Sequence, residues 1–486
     1  MVGVVEPELV GKTFDDFLFR PQKGVALSRR ELRLTSPLTR HLNLELPVIS
    51  ANMDSVTGGA MAKAMALEGG IGFVHRAMAI EAQADEVRRV KRSYGYVVEQ
   101  PFSLPRTATL GEAREIIHQH NTSVLIEEGA GSGILAGLLS ARDIPWFPDD
   151  EERAVAEFMT PIERLHTGPP DVSLEQAERI LYENRIEKLP LVDDRRRIHG
   201  LITKKDIILH QQRPHVSKDG KGRLRVGAAI GARGDFLDRA DALIEAGVDV
   251  LLIDIAHGHS EVMEQAMKEF RNRFSDMEVI CGNVGTAEAA IFLKDLGADA
   301  IKVGIGPGRG CRTRLETAAG VPQLQAIREA WRAVGEEVPI IADGGVRQDK
   351  DIFLALACGA STVMMGSALS GTTESPGIVI VDPATGDRKK IYRGMTSPQA
   401  VLGALYSSDA EDVDEALATP AEGQEIQIPF RGSVVDILHR VRGHLRSAVS
   451  YAGERTLTEA RAKIVNDPLR YLIPLSDASR QESYER

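Results

Sequence analysis

Cysteine, aromatic residues, long apolar runs and net positive charge are all in short supply in this chain of 486 residues. The three cysteines, Cys281, Cys311 and Cys358, are odd in number and far apart, which excludes a disulfide framework and the paired spacing of a zinc site. A reducing cytoplasm is the expected compartment. No apolar stretch reaches the roughly 18 residues that a membrane span requires, and Met1 to Glu8 lack the basic and long apolar regions of a secretory signal. The formal net charge of −11 argues against a general nucleic-acid surface, which needs a clustered basic footprint. The runs Arg88-Arg89-Val90-Lys91-Arg92 and Arg195-Arg196-Arg197 read as solvated helix and loop faces. An anionic ligand must therefore be held locally, by glycine-rich loops and helix N-termini.

What the chain does have is a hydrophobic content of 43% with 27% charged residues, the balance of a globular protein with a large core. Its length exceeds one ordinary compact domain and fits two to four domains or an α/β barrel carrying an insertion. Short apolar runs alternate with helical spacing, the signal of parallel βα units. Two such runs, 46–56 and 70–75, precede helical stretches at 61–67 and 82–91. Six more follow at 226–230, 250–254, 279–284, 300–304, 338–343 and 362–366. Eight strands of this kind predict a (β/α)₈ TIM barrel, with chemistry on the loops that follow the strands.

The rhythm breaks between 95 and 224, where two halves repeat one pattern. Helical spacing at 109–118, a strand at 122–126 and a strand entering a helix at 137–144 are matched by 173–184, 188–192 and 200–207. The shared signature is Gly-Leu-(Leu/Ile)-(Ser/Thr) followed by Asp-Ile, at Gly137 and Gly200. The insert resembles a tandem pair of CBS modules, which implies ATP or GTP as effectors; a packing or oligomerisation insert that binds nothing is the competing reading. The expected division is a barrel of residues 1–95 and 214–486 and a CBS pair of residues 96–213.

The loop from Ile301 to Arg314 holds Gly304, Gly306, Gly308 and Gly310, then Cys311 between arginines. Glycines let a flat ligand lie against bare backbone, and neighbouring arginines would favour thiolate, the nucleophilic form. A glycine-rich turn with a buried free cysteine fits the same residues. The loops after the seventh and eighth strands offer Gly344-Gly345 and Gly366-Ser367, whose N–H groups can cradle a phosphate. Asp343 then suits both hydroxyls of a ribose, or alone would serve as an N-cap.

Gly304-Ile305-Gly306-Pro307-Gly308 leading to Cys311 and Thr313-Arg314, with Ala342-Asp343-Gly344-Gly345, Met365-Gly366-Ser367, Tyr392-Arg393-Gly394-Met395, Thr13-Phe14-Asp15-Asp16 and Gly282-Asn283-Val284, resembles the IMP dehydrogenase/GMP reductase family over nearly the whole chain. The resemblance implies that Cys311 attacks C2 of a purine nucleotide to give an adduct that exchanges hydride with a nicotinamide cofactor. It implies nucleotide contacts from Met53, Asp343, Gly345, Gly366, Ser367, Tyr392, Gly394 and Met395, and cofactor contacts from Asp254, Asn283 and Gly304. It also implies a K⁺ on carbonyls of Gly306, Gly308 and Cys311, and assembly as a homotetramer or homo-octamer.

Two reactions share that adduct. The dehydrogenase converts IMP to XMP with NAD, using an arginine-tyrosine pair on a flap to activate water; the reductase expels ammonia from GMP and takes hydride from NADPH. From Gly394 to Phe430 this chain has no arginine or lysine, and Tyr406 is the only tyrosine. The segment Ala421-Glu422-Gly423-Gln424-Glu425 resembles the reductase form, in which Glu422 and Thr313 protonate the leaving amine; otherwise Glu422 is one more exposed carboxylate. Three features depart from the pattern: Arg309 stands where the family has a phosphate-binding serine, and is expected either to bind the substrate phosphate itself or to turn outwards; a CBS pair is a feature of the dehydrogenases; and Leu475 to Arg486 show no clear match to the C-terminal segment that helps bind a monovalent cation in many dehydrogenases. The expectation is an NADPH-dependent GMP reductase, with IMP dehydrogenase and a catalytically silent nucleotide sensor as alternatives.

Overall fold

The computed structural model describes residues 5–99, 101–120, 122–145, 151–205, 207–208, 214–398, 400 and 420–484. The chain divides into two units, one of Met1–Lys91, His215–Asp219 and Leu224–Arg486, the other of Arg92–Pro214 and Gly220–Arg223.

Eight short strands form the centre of the first unit: β1 (Val48–Ser50), β2 (Ile71–Val74), β3 (Gly227–Ile230), β4 (Val250–Asp254), β5 (Val279–Val284), β6 (Ala300–Val303), β7 (Ile340–Asp343) and β8 (Thr362–Met365). Each pairs in parallel with the next, and β8 returns to β1, closing a barrel. Each strand is followed by a helix, in order Gly59–Leu67, Ile80–Arg92, Phe236–Glu245, Glu261–Arg273, Ala287–Asp295, Gln323–Val334, Asp349–Ala357 and Val434–Tyr451. The (β/α)₈ barrel and its interruption after the second βα unit are thus as the sequence predicts. The apolar run at 46–56 yields only the three residues of β1, because Asn52 to Val56 turn across the barrel mouth, with the Met53 carbonyl accepting the N–H groups of Val56 and Thr57 at 2.9 Å.

Side chains of Ile49, Ile71, Phe73, Ala229, Leu252, Ile280 and Ile341 fill the barrel interior. Phe73 takes so much of that space that a Cβ on Gly227 would lie 2.5 Å from its ring. A larger apolar layer, including Met65, Ile327, Phe353, Leu438 and Val441, packs between strands and helices. The basic run on the second helix is solvated only in part: Arg88 and Arg89 pair with Asp85 and Glu86, while Lys91 turns inward to Asp249 at 2.6 Å and Asp219 at 3.1 Å.

Between β8 and the last barrel helix, the chain forms an antiparallel ribbon of Arg388–Arg393 and Glu425–Pro429, with Tyr392 opposite Ile426 and Arg393 opposite Glu425. This ribbon returns residues of the 390s and 420s to the catalytic end of the barrel.

In the second unit, the helices Leu110–His120 and Leu174–Glu183 are each followed by an antiparallel strand pair, Val124–Glu127 with Leu135–Leu139 and Lys188–Val192 with Ile198–Thr203. In the first repeat the residues after Leu139 form a turn, in which Asp143 accepts hydrogen bonds from the Ser140 N–H at 2.8 Å and hydroxyl at 2.7 Å; residues 146–150, where the chain continues, lie outside the described residues. Asp206 of the second repeat lies outside the described residues.

Candidate active site

The C-terminal ends of the barrel strands surround a cavity of about 1040 Å³. Every residue that the sequence assigned to nucleotide, cofactor or chemistry borders it: Met53, Asp254, Asn283, Gly304, Gly306, Gly308, Arg309, Cys311, Thr313, Asp343, Gly345, Gly366, Ser367, Tyr392, Gly394, Met395 and Glu422.

Gly304 opens the cysteine loop at φ +154°, and a Cβ there would sit 2.2 Å from the Asp343 carbonyl; the loop passes too close to the end of β7 for any side chain. The loop then turns through a Cys311 N–H bond to the Gly308 carbonyl at 3.0 Å. Residues 422–424 lie directly on it: the Arg312 N–H reaches the Glu422 carbonyl at 2.7 Å, and the Gln424 N–H reaches the Gly310 carbonyl at 3.0 Å. That backbone strap carries the Glu422 side chain to the cysteine. Thr313 Oγ1 donates to Glu422 Oε2 at 2.6 Å and lies 3.1 Å from Cys311 Sγ, an unbroken thiol–hydroxyl–carboxylate chain.

The arginines beside the cysteine do other work than the sequence suggested. Arg312 pairs with Glu316, and Arg314 donates to the carbonyls of Ile305 and Val321, so both brace the loop. Arg309 is exposed at the cavity rim, with its carbonyl accepting from Gln424 Nε2 at 3.0 Å.

At the other side of the mouth, the N–H groups of Gly345, Gly366 and Ser367 have no acceptor among the described residues. Three free donors around one space make a cradle for an oxyanion. Arg431, which sequence reasoning passed over, borders the same space and donates to the Ala368 carbonyl at 3.1 Å. Its side chain is exposed at the rim, where partial desolvation lowers its proton affinity and the neighbouring charges of Arg309 and Arg440 lower it further. Tyr392 is almost wholly enclosed, its hydroxyl 3.7 Å from Met53 Sδ; burial first, then Asp343, raise its pKa above the usual phenol range.

Lys302 was also missed. It is 3% exposed and bridges Asp254 at 2.9 Å and Asp343 at 2.7 Å. Burial disfavours its charge, but the two carboxylates outweigh burial and raise its pKa. The available signal was a lysine inside a strand, Ala300–Val303, whose other members are all buried apolar residues. Asn283 Nδ2 donates to Asp343 Oδ2 at 2.9 Å and to the Gly304 carbonyl at 2.8 Å, while its Oδ1 is buried without a partner. An orphaned acceptor beside Asp254 fits an amide N–H of a bound nicotinamide. Of the carbonyls named for a cation, that of Gly308 is already engaged by Cys311, and among the described residues no three His, Cys, Asp or Glu cluster as metal ligands. No helix among the described residues is long and apolar enough to cross a membrane.

The family model for the IMP dehydrogenase / GMP reductase domain matches residues 11–484. The chain belongs to the IMP dehydrogenase/GMP reductase family. It is therefore an oxidoreductase acting on a purine nucleotide with a nicotinamide dinucleotide. Inosine-5'-monophosphate dehydrogenase of Nitrosopumilus maritimus (strain SCM1) is 43% identical over 452 residues, 92% of this chain and 94% of the relative. The protein of the same name from Escherichia coli (strain K12) is 42% identical over 480 residues, 97% and 95% of the two chains. Among solved structures, a cysteine-to-alanine variant of GMP reductase from Trypanosoma brucei in complex with guanosine 5'-monophosphate superposes with a TM-score of 0.85 at 36% identity, covering 98% of this chain and 97% of that one.

Proposed function

We propose that this family member is a GMP reductase, converting GMP to IMP and ammonia with NADPH in purine salvage. The observation that carries the reading is that the segment bearing Glu422 has no arginine or lysine from Gly394 to Phe430, so the arginine that activates water in the dehydrogenase form has no counterpart there, while a carboxylate chain to Cys311 is in hydrogen-bond contact.

In this mechanism the 5'-phosphate of GMP lies on the free N–H groups of Gly345, Gly366 and Ser367, with Arg309 and Arg431 adding positive charge at the rim. Asp343 takes the ribose hydroxyls through the oxygen that Lys302 and Asn283 leave free. Gly394, Met395 and Tyr392 hold the base so that Cys311 Sγ meets C2. As the S–C2 bond forms, the thiol proton passes through Thr313 to Glu422, and Glu422 returns a proton to the departing amine. Such assistance is needed because unprotonated amide ion is a very poor leaving group. When bound, NADPH supplies the hydride that takes the amine's place at C2. Asp254, Asn283 and Gly304 would hold the nicotinamide side. Breakage of the C2–S bond frees IMP and restores Cys311.

A second reading, IMP dehydrogenase using NAD, is favoured by the names of the curated relatives at 42–43% identity. In it Thr313 and Glu422 would activate water without the arginine. We further propose that the residues 96–213 are a tandem CBS pair whose purine nucleotides, ATP or GTP, adjust activity or assembly, and that the protein works as a homotetramer or homo-octamer. The test of the reaction is absorbance at 340 nm in two mixtures. Loss of absorbance with GMP and NADPH supports the reductase; a gain with IMP and NAD, and none of that loss, supports the dehydrogenase.

A further inference from the structure

Lys302 occupies the middle of a polar chain that crosses the barrel mouth. Asn52 Nδ2 donates to Asp254 Oδ2 at 2.7 Å, Lys302 Nζ joins Asp254 Oδ1 to Asp343 Oδ2, and Asn283 Nδ2 closes on the same Asp343 oxygen. The chain links the ends of β1, β4, β6, β7 and β5. One end faces the proposed ribose subsite at Asp343, the other the proposed cofactor subsite at Asp254.

We propose that Lys302 is a positioning residue that couples the two halves of the site, so that a guanine nucleotide on Asp343 tightens binding of the nicotinamide dinucleotide beside Asp254. This rests on the ribose and cofactor assignments given above. Its physical basis is the sharing of one cation by two carboxylates. In the free protein, a single ammonium serves both Asp343 and Asp254, and both must compete for it. Ribose hydroxyls donating to Asp343 satisfy that carboxylate independently and fix its position. Lys302 is then free to orient Asp254. Fixing Asp343 also pins Asn283 through its Nδ2, which leaves the buried and unpartnered Asn283 Oδ1 held ready for a ligand N–H. The second ligand meets groups already ordered by the first, and the ordering cost is met once. Reciprocity requires the cofactor to tighten nucleotide binding by the same factor.

The experiment measures the affinity of NADP⁺ with and without saturating GMP, a pair that cannot turn over because neither member has a hydride to give. In the unaltered protein, GMP should tighten NADP⁺ about fivefold or more, the lower end of ordinary coupling between sites. In Lys302→Met the ratio should fall to within about twofold of one, whereas Lys302→Arg, which retains the charge and can reach both carboxylates, should keep it. Asp254→Asn breaks the same chain while leaving a neutral isostere, and should also lose the ratio, which covers the case that Lys302→Met does not fold. A merely structural lysine would weaken both ligands and leave the ratio unchanged. That result in either variant, or a ratio of one in the unaltered protein both for this pair and for XMP with NAD⁺, overturns the proposal. The same titrations with XMP and NAD⁺ separate the two levels of inference: coupling seen only with that pair, and lost in Lys302→Met, retains the role of Lys302 while the reductase reading fails.

Discussion

Replacing Glu422 by glutamine removes the capacity to take up and return a proton, together with the carboxylate charge, at nearly constant shape. Thr313 Oγ1 lies 2.6 Å from Glu422 Oε2, and the glutamine amide oxygen can accept the same hydrogen bond. The backbone strap that holds residue 422 to the cysteine loop uses the Glu422 carbonyl and the Gln424 N–H, neither of which changes. Position, packing and nucleotide affinity should therefore survive, and only proton delivery to the leaving amine should be lost. General acid–base catalysis of this kind contributes about 10²- to 10⁴-fold, or about 2.7 to 5.4 kcal/mol at 1.36 kcal/mol per decade. Ammonia release from GMP should fall by that factor in Glu422→Gln. Hydride exchange between IMP and NADP⁺, which forms the same Cys311 adduct without any amine, should fall less than tenfold at a pH where the thiol is ionised. Rapid mixing with detection of NADPH measures the second step, and an ammonia assay measures the first. Equal losses in both, or an unchanged rate of ammonia release, would refute the assignment of Glu422 as the acid.

Three other outcomes are expected. Cys311→Ala should abolish turnover while GMP affinity, by calorimetry, stays within a few-fold, because the phosphate cradle and Asp343 are untouched; appreciable turnover would remove the covalent mechanism. Arg431→Gln should raise KM for GMP roughly threefold to tenfold with kcat little changed and the effect shrinking in high salt, as befits an exposed charge; a salt-independent fall in kcat would contradict its place at the phosphate. His75 is buried with Nδ1 unpartnered, and burial, partly offset by Asp54 and Glu86, lowers its pKa. The unfolded chain therefore binds this proton more readily, so the contribution of neutral His75 is present above the ordinary pKa of about 6.5 and lost as pH falls below it. Melting temperature should drop between pH 7.5 and 5.5 more steeply in the natural protein than in His75→Gln, and parallel curves would count against it.

Much of this architecture is legible in the residues themselves. Runs such as Val250–Asp254 and Val279–Val284 match the strands end to end, because a parallel strand covered on both faces is written mainly in apolar residues, with Asp254 and Asn283 falling near the ends that reach the barrel mouth. The glycines at 304, 344 and 345 identify the mouth of the barrel because the backbone there takes positive φ, and at 304 a Cβ would meet the Asp343 carbonyl at 2.2 Å. What could not be read was pairing across the fold. Glu422 is separated from Thr313 by 109 positions, and only the ribbon that returns through Glu425–Pro429 brings them into contact. Arg312 and Arg314 looked like partners of the thiol by adjacency, yet a carboxylate four residues on and two loop carbonyls claim them. Lys302 lay inside an apolar run, where its charge makes sense only once Asp254 and Asp343 are known to flank it.

The most direct test of the central claim is the stoichiometry of ammonia to NADPH in a reaction started with GMP and followed to completion, with the nucleotide product identified. A GMP reductase must release one ammonia for each NADPH consumed and leave IMP as the sole purine product. Absence of ammonia from GMP, together with formation of XMP from IMP and NAD by the same preparation, would contradict it.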